Sequence, residues 1–163
     1  MPNSNATSPT ATRKIGIADL PSLAGQDLGA SSRIRITQQQ IDTFADATND
    51  HQWIHVDPVR AKNGPFGTTI AHGYLTLSLA VPLFWDLLDV DGATQIINYG
   101  LNKVRFPAPV PVDSEVGATA RVVSVDEIAG GYQLTVGLTF TVEGSERPVC
   151  VCEMIVRYLG DTA

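Results

Sequence analysis

A chain of 163 residues, 44% hydrophobic and 17% charged, is most simply one domain large enough to bury a core without disulfide staples. Its net charge of −6 excludes a basic nucleic-acid surface, so no nucleic-acid partner is expected. Cys150 and Cys152 lie two apart in a strand-like run, a spacing that suits neither a disulfide nor a redox or zinc pair, and free thiols fit a reducing, cytoplasmic setting.

Residues 1–12 are polar and carry no basic residue, so they lack a signal peptide's pattern; they are expected to form a disordered tail before a single domain over 13–163. Residues 13–30 are mixed, broken by Pro21, Gly25 and Gly29, with room for a short helix or turn. Over 31–36, Ile34 and Ile36 alternate as in a short strand. Thr37 and Gln40 then have capping-box spacing, and Ile41, Phe44, Ala45 and Thr48 follow at helical intervals, which predicts a helix over about 38–48.

That helix leads into a polar loop, Asn49-Asp50-His51-Gln52-Trp53-Ile54-His55, which packs an acid, two imidazoles, two carboxamides and an indole into one short run. Asp57 as N-cap and Pro58 at the first helical position predict a second, shorter helix, stopped by Asn63-Gly64-Pro65. A third helix is predicted over about 72–88, apolar nearly all round and therefore enclosed, with Pro82 bending it or loosening a turn. Its apolar run is too short to span a bilayer and is followed by Asp86 and Asp89, so no membrane association is expected.

After Asp91-Gly92 the period becomes two. Ile97, Tyr99 and Leu101 share one face, as do Val116, Ala118, Ala120 and Val122; Leu134, Val136, Leu138, Phe140 and Val142 alternate most cleanly. In the last run Cys150, Cys152, Met154, Val156 and Tyr158 form the apolar face, and the Pro-rich link over 106–112 is excluded as a central strand. Helices first, then strands joined by Gly130-Gly131 and Glu143-Gly144-Ser145, imply an α+β domain with an antiparallel sheet. One enclosed helix against one curved sheet is the economical packing, the hot-dog arrangement.

The loop and its neighbours resemble the MaoC-like dehydratases, the family of (R)-specific enoyl-CoA hydratases, nearest their NodN-like branch. The family motif runs Gly-Asp-x-Asn-Pro-(Leu/Ile)-His, and Asn49-Asp50-His51-Gln52-Trp53-Ile54-His55 keeps its Asp-to-His spacing and Ile54. Asn49, Gln52 and Trp53 stand where the family has Gly, Asn and Pro. The match continues through Asp57-Pro58, His72-Gly73 and Arg105-Phe106-x-x-Pro109-Val110.

The resemblance implies that Asp50 and His55 hold one water for syn addition to a trans-2-enoyl thioester, acting as general base and general acid. Gly73, at the start of the third helix, would offer its N–H to the thioester oxygen; the competing reading is a glycine kept for packing. Gln52 and His72 are the candidate substrate-binding residues, and Arg60, Lys62, Lys103 and Arg105 are the cations available to an acyl-CoA. The family also implies a homodimer with sheets joined edge to edge and a channel shared with the partner. No cofactor and no metal are expected. Two readings compete: a non-catalytic acyl-thioester binder on the same fold, and a metal site using His51 and His55 with Asp50 and His72. A blander reading makes Asp50 a helix cap and His55 a hydrogen-bonded core histidine.

Overall fold

The three runs with the cleanest alternation form the middle of the sheet. The structure, a computed structural model, describes residues 8–145 and 147–160. Its strands are β1 (Arg13–Gly16), β2 (Asp27–Ala30), β3 (Ile34–Arg35), β4 (Leu88–Asp91), β5 (Ala93–Arg105), β6 (Glu115–Ile128), β7 (Gly131–Val142) and β8 (Pro148–Gly160). Its helices are α1 (Gln38–Thr48), α2 (Trp53–Val56), α3 (Pro58–Lys62), α4 (Gly73–Ser78) and α5 (Ala80–Trp85), with a 3-10 segment over Ile17–Leu23.

The main sheet runs β2-β6-β7-β8-β5 with β3 also on β6, and every pairing in it is antiparallel. Val116, Ala118, Ala120 and Val122 of β6, Leu134 to Phe140 of β7 and Cys150 to Tyr158 of β8 bury alternate residues against the helices. The fold is hot-dog, α+β, as the alternation implied. A separate pair, β1 with β4, is parallel and closes one end. Both cysteines are buried and free. Among the described residues no helix is long and apolar enough to cross a membrane.

The helix expected over 72–88 is corrected. It is two short helices broken at Leu79, and Leu88 already begins β4. Pro82 explains the break, because it has no N–H for the Ser78 carbonyl and its ring crowds that carbonyl, one turn upstream. Nor is the segment enclosed all round. Ala80, Leu83, Phe84 and Leu87 are buried, while Tyr74 is 73% and Trp85 54% exposed.

Strand β5 departs as well. Its register skips between Asn98 and Gly100, so Leu101 faces Met154 across the ladder while Ile97 faces Arg157. The bulge moves Leu101 to the other face from Ile97, against the alternation expected of Ile97, Tyr99 and Leu101. As an edge strand β5 leaves Ile96, Ile97, Tyr99 and Leu101 between 40% and 56% exposed.

Residues 1–7 of the expected tail lie outside the described residues. The Thr10 N–H donates to the Ala30 carbonyl at 2.8 Å and the Thr12 hydroxyl to the Asp86 carbonyl at 2.7 Å, so the chain is tied down ahead of β1. The Pro-rich link carries no strand; it is held by Ala71 N–H to Val110 O at 2.8 Å and Val112 N–H to Thr69 O at 2.9 Å.

Candidate active site

Helix α1 is capped as its spacing predicted. Thr37 Oγ1 accepts from the Gln40 N–H and Gln40 reaches back to the Thr37 N–H. At its other end Asn49 is left-handed, φ 59°, which explains why this position favours glycine and why asparagine serves. The loop that follows is shorter than expected. Gln52 is the N-cap of the single-turn helix α2, and Trp53 is its first residue, a position where proline is also at home. Two of the departures from the family motif thus fall where the backbone asks only for a helix start or a left-handed residue. The Trp53 ring lies under the Arg60 guanidinium at 4.4 Å and against Gly64, where an added Cβ would meet it at 2.9 Å.

His55, on α2, is 6% exposed. Its Nδ1 lies 2.7 Å from the Ile70 carbonyl, which only accepts, so Nδ1 carries the proton and Nε2 is bare in the neutral ring. The Ile70 N–H donates in turn to Ile54 O at 3.1 Å. Gln38, at the start of α1, donates to the His55 carbonyl at 2.8 Å and accepts from the Thr69 hydroxyl at 2.6 Å. Burial, reinforced by the neighbouring His72, holds the His55 pKa below its ordinary 6.5, although the Ile70 bond and Asp50 oppose the shift. The ring is therefore neutral at pH 7.

Asp50, His55 and His72 each present an atom within 4.8 Å of the others. The Asp50 carboxylate is exposed and makes no hydrogen bond among the described residues, so it caps no helix there. The blander reading keeps half its content: His55 is a hydrogen-bonded buried histidine, but Asp50 is not a cap. His72 is 2% exposed; its Nε2 meets the Asp50 carbonyl at 2.9 Å and its ring stacks on His55 with centroids 3.8 Å apart at 24°. His51 is elsewhere, paired with Asp46 at 2.9 Å, so the metal set expected around His51 and His55 does not assemble as drawn. The remaining trio suits a metal poorly. Imidazole nitrogen binds a metal in the ring plane at about 2 Å, and two stacked rings cannot both aim at one ion that way.

Gly73 begins α4. Its N–H makes no hydrogen bond among the described residues, and its φ is not left-handed. A Cβ there would meet the Phe106 ring at 3.2 Å, so packing alone already favours glycine. A cavity of about 300 Å³ opens beside it, lined by His55, Phe66, Thr76, Phe106 and Val149. Gln52 is exposed and is not among the residues that line the cavity. Of the expected cations, Lys103 is paired with Glu153 at 3.0 Å, Arg60 sits on Trp53, Arg105 donates to the Val104 carbonyl, and Lys62 is exposed. The Ile70 carbonyl and Gln38 were not readable as site groups, whereas Phe106 stood in the matching motif without an assigned role. A backbone carbonyl leaves no mark in a sequence, and Gln38 looks like any first-turn helix residue.

A hot-dog sheet carrying a clustered carboxylate and imidazole, of which His55 lines an open cavity and Asp50 does not, fits a hydratase–dehydratase scaffold. The MaoC-like domain family matches residues 19–143, and the chain belongs to that family, a hydro-lyase by class. It is 56% identical over 144 residues to 3-hydroxyacyl-thioester dehydratase Z of Mycobacterium tuberculosis, covering 88% of this chain and 95% of that one. It is 43% identical over 146 residues to nodulation protein N of Rhizobium leguminosarum bv. viciae, covering 87% and 90%. Among solved structures, the monoamine oxidase regulatory protein from Archaeoglobus fulgius superposes with TM-score 0.73 at 25% identity over 93% of this chain and 99% of that one. The (R)-hydratase from A. caviae involved in PHA biosynthesis gives 0.68 at 24% identity, covering 83% and 96%, and supports the fold.

Proposed function

We propose that this protein is an (R)-specific enoyl-CoA hydratase, adding water reversibly across a trans-2-enoyl thioester to give the (R)-3-hydroxyacyl thioester. The observation that carries the reading is the cluster in which the Asp50 carboxylate, unbonded among the described residues, lies within 4.8 Å of a ring nitrogen of His55, whose Nδ1 is held by Ile70. A water between them loses a proton to the pair as its oxygen bonds C3, and the pair returns a proton to C2 on the same face. Base and acid are not divided between the residues, because the two groups lie within 4.8 Å of one another and either can exchange a proton with one water.

Negative charge builds on the thioester oxygen as C3 is attacked. The Gly73 N–H, without a partner of its own among the described residues, is the donor assigned to it. Gln52, at the exposed N-cap of α2, is assigned to substrate binding, and His72 backs the reacting groups. Acyl-CoA is the substrate, and the cavity by Phe66 and Phe106 has room for part of it. A homodimer belongs to the same reading, supported by the exposed apolar residues of the edge strand β5.

The test is loss of enoyl absorbance on crotonyl-CoA, with chiral analysis of the product. Formation of the (R)-alcohol supports the proposal. The (S)-alcohol, or acyl-CoA binding without turnover, contradicts it and in the second case leaves a non-catalytic binder.

A further inference from the structure

His72 is a residue for which the reaction itself has no proton to carry, yet it is among the most buried polar side chains described, at 2% exposure. Three things converge on it. Its Nε2–H donates to the Asp50 backbone carbonyl at 2.9 Å. One face of its ring stacks on His55 at 3.8 Å, and Phe44 of α1 packs on it at 5.0 Å, tilted by 50°. As N-cap of α4 it immediately precedes Gly73.

The Asp50 carbonyl is an acceptor only, so this bond fixes the His72 tautomer: Nε2 protonated, Nδ1 bare. Nδ1 is buried and has no partner among the described residues. A buried bare acceptor lowers stability, and a histidine kept only to fill space would be better replaced by an aromatic ring. The bond must therefore matter for what it holds. Asp50 follows a left-handed residue and its own carboxylate makes no hydrogen bond, so among the described residues no other side chain anchors the Asp50 backbone. The same ring closes one face of His55, whose Nδ1 edge is already held by Ile70.

We infer that His72 is a positioning residue for the Asp50–His55 pair: its Nε2–H holds the Asp50 backbone and its ring backs the His55 imidazole, keeping both groups over one water. The role rests on the hydration chemistry proposed above and adds a component to it. A second consequence is electrostatic. The ionisable groups facing His55 are Asp50 from the loop and His72 from the start of α4, while α1 offers only neutral Gln38. Removing the His72 imidazole removes the neighbour that disfavours a protonated His55, whose pKa then rises.

Two variants separate the components. His72→Phe keeps a ring against His55 and loses the donor; His72→Gln keeps an amide donor and loses the stack. Both are expected to fold and to lower kcat far more than they change KM, His72→Phe on the order of 10²-fold, the scale of a small misplacement of reacting groups. His72→Gln should recover part of that loss. In both, the acid limb of the kcat/KM profile moves to higher pH. In a His55→Gln background neither should lower turnover further, because a positioning residue acts through the group it positions. A folded His72 variant with wild-type kcat and an unmoved acid limb overturns the inference, as does a full additional loss in the His55→Gln background. Should neither variant fold, nitrogen chemical shifts of the wild-type imidazoles decide: His72 protonated at Nε2 upholds it, and protonation at Nδ1 overturns it. Asp50→Asn and His55→Gln, assayed alongside, distinguish the two levels. If they retain turnover the hydration reading itself fails; if they lose it while the His72 variants do not, only the positioning role fails.

Discussion

At the scale of single residues, the environment of His55 sets how it responds to pH. The buried ring is held below its ordinary 6.5 by burial and by His72. A catalyst that needs this ring neutral should keep full kcat/KM down past 6.5 and lose it only at lower pH, as the ring protonates. A pH profile with its acid limb above 6.5 would contradict that. Stability follows with a definite sign. The unfolded histidine takes up its proton first on acidification, so the contribution of His55 is present above about 6.5 and is lost as pH falls toward the lower folded value. Denaturation midpoints taken from neutral to acid pH should fall more steeply in the wild type than in His55→Gln. Gly73→Ala keeps the N–H but sets a Cβ 3.2 Å from the Phe106 ring. Phe106 is partly exposed and can swing away, so the fold should survive while KM rises as the ring moves into the cavity.

At the scale of elements, what could be read from sequence is what is decided locally. Helix α1 was legible because its cap, its apolar face and its stop all lie within its own residues. Thr37→Ala removes one side of the capping box and should lower stability by about 1 kcal/mol in chemical denaturation. Strands β6, β7 and β8 were legible for a similar reason, since each has one buried face along its length. The α4–α5 break was half legible: Pro82 announced a disturbance, but the chain leaves the helix a turn earlier and turns into β4 to pair with β1, a long-range event. The bulge in β5 was not legible at all, because both of its faces are mixed and no pattern marks the slip. In the site, the Asp50 and His55 positions were carried by motif spacing, whereas the tautomers of His55 and His72 are set by the carbonyls of Ile70 and Asp50. Strand β8 carries an unsatisfied polar group: Tyr158 is 1% exposed and its hydroxyl has no partner among the described residues. Tyr158→Phe removes it and should raise stability by about 1 kcal/mol, read from the same denaturation curves.

At the scale of the whole molecule, the single chain leaves an apolar margin along β5, continued by Tyr74 and Trp85 of the helical segment. An edge strand of this length and character invites pairing with another copy. Light scattering at working concentration should give twice the chain mass, and a monomer mass would count against the shared channel. All of this serves one claim, that Asp50 and His55 act together on one water. Its most direct test is turnover of crotonyl-CoA by Asp50→Asn. The change keeps the shape of a side chain that caps nothing and bonds nothing among the described residues, so folding should be untouched. The expected result is a wild-type circular dichroism spectrum and melting temperature with most turnover lost, and little further loss on adding His55→Gln. A folded Asp50→Asn protein that hydrates crotonyl-CoA at the wild-type rate would show that the pair is not the site.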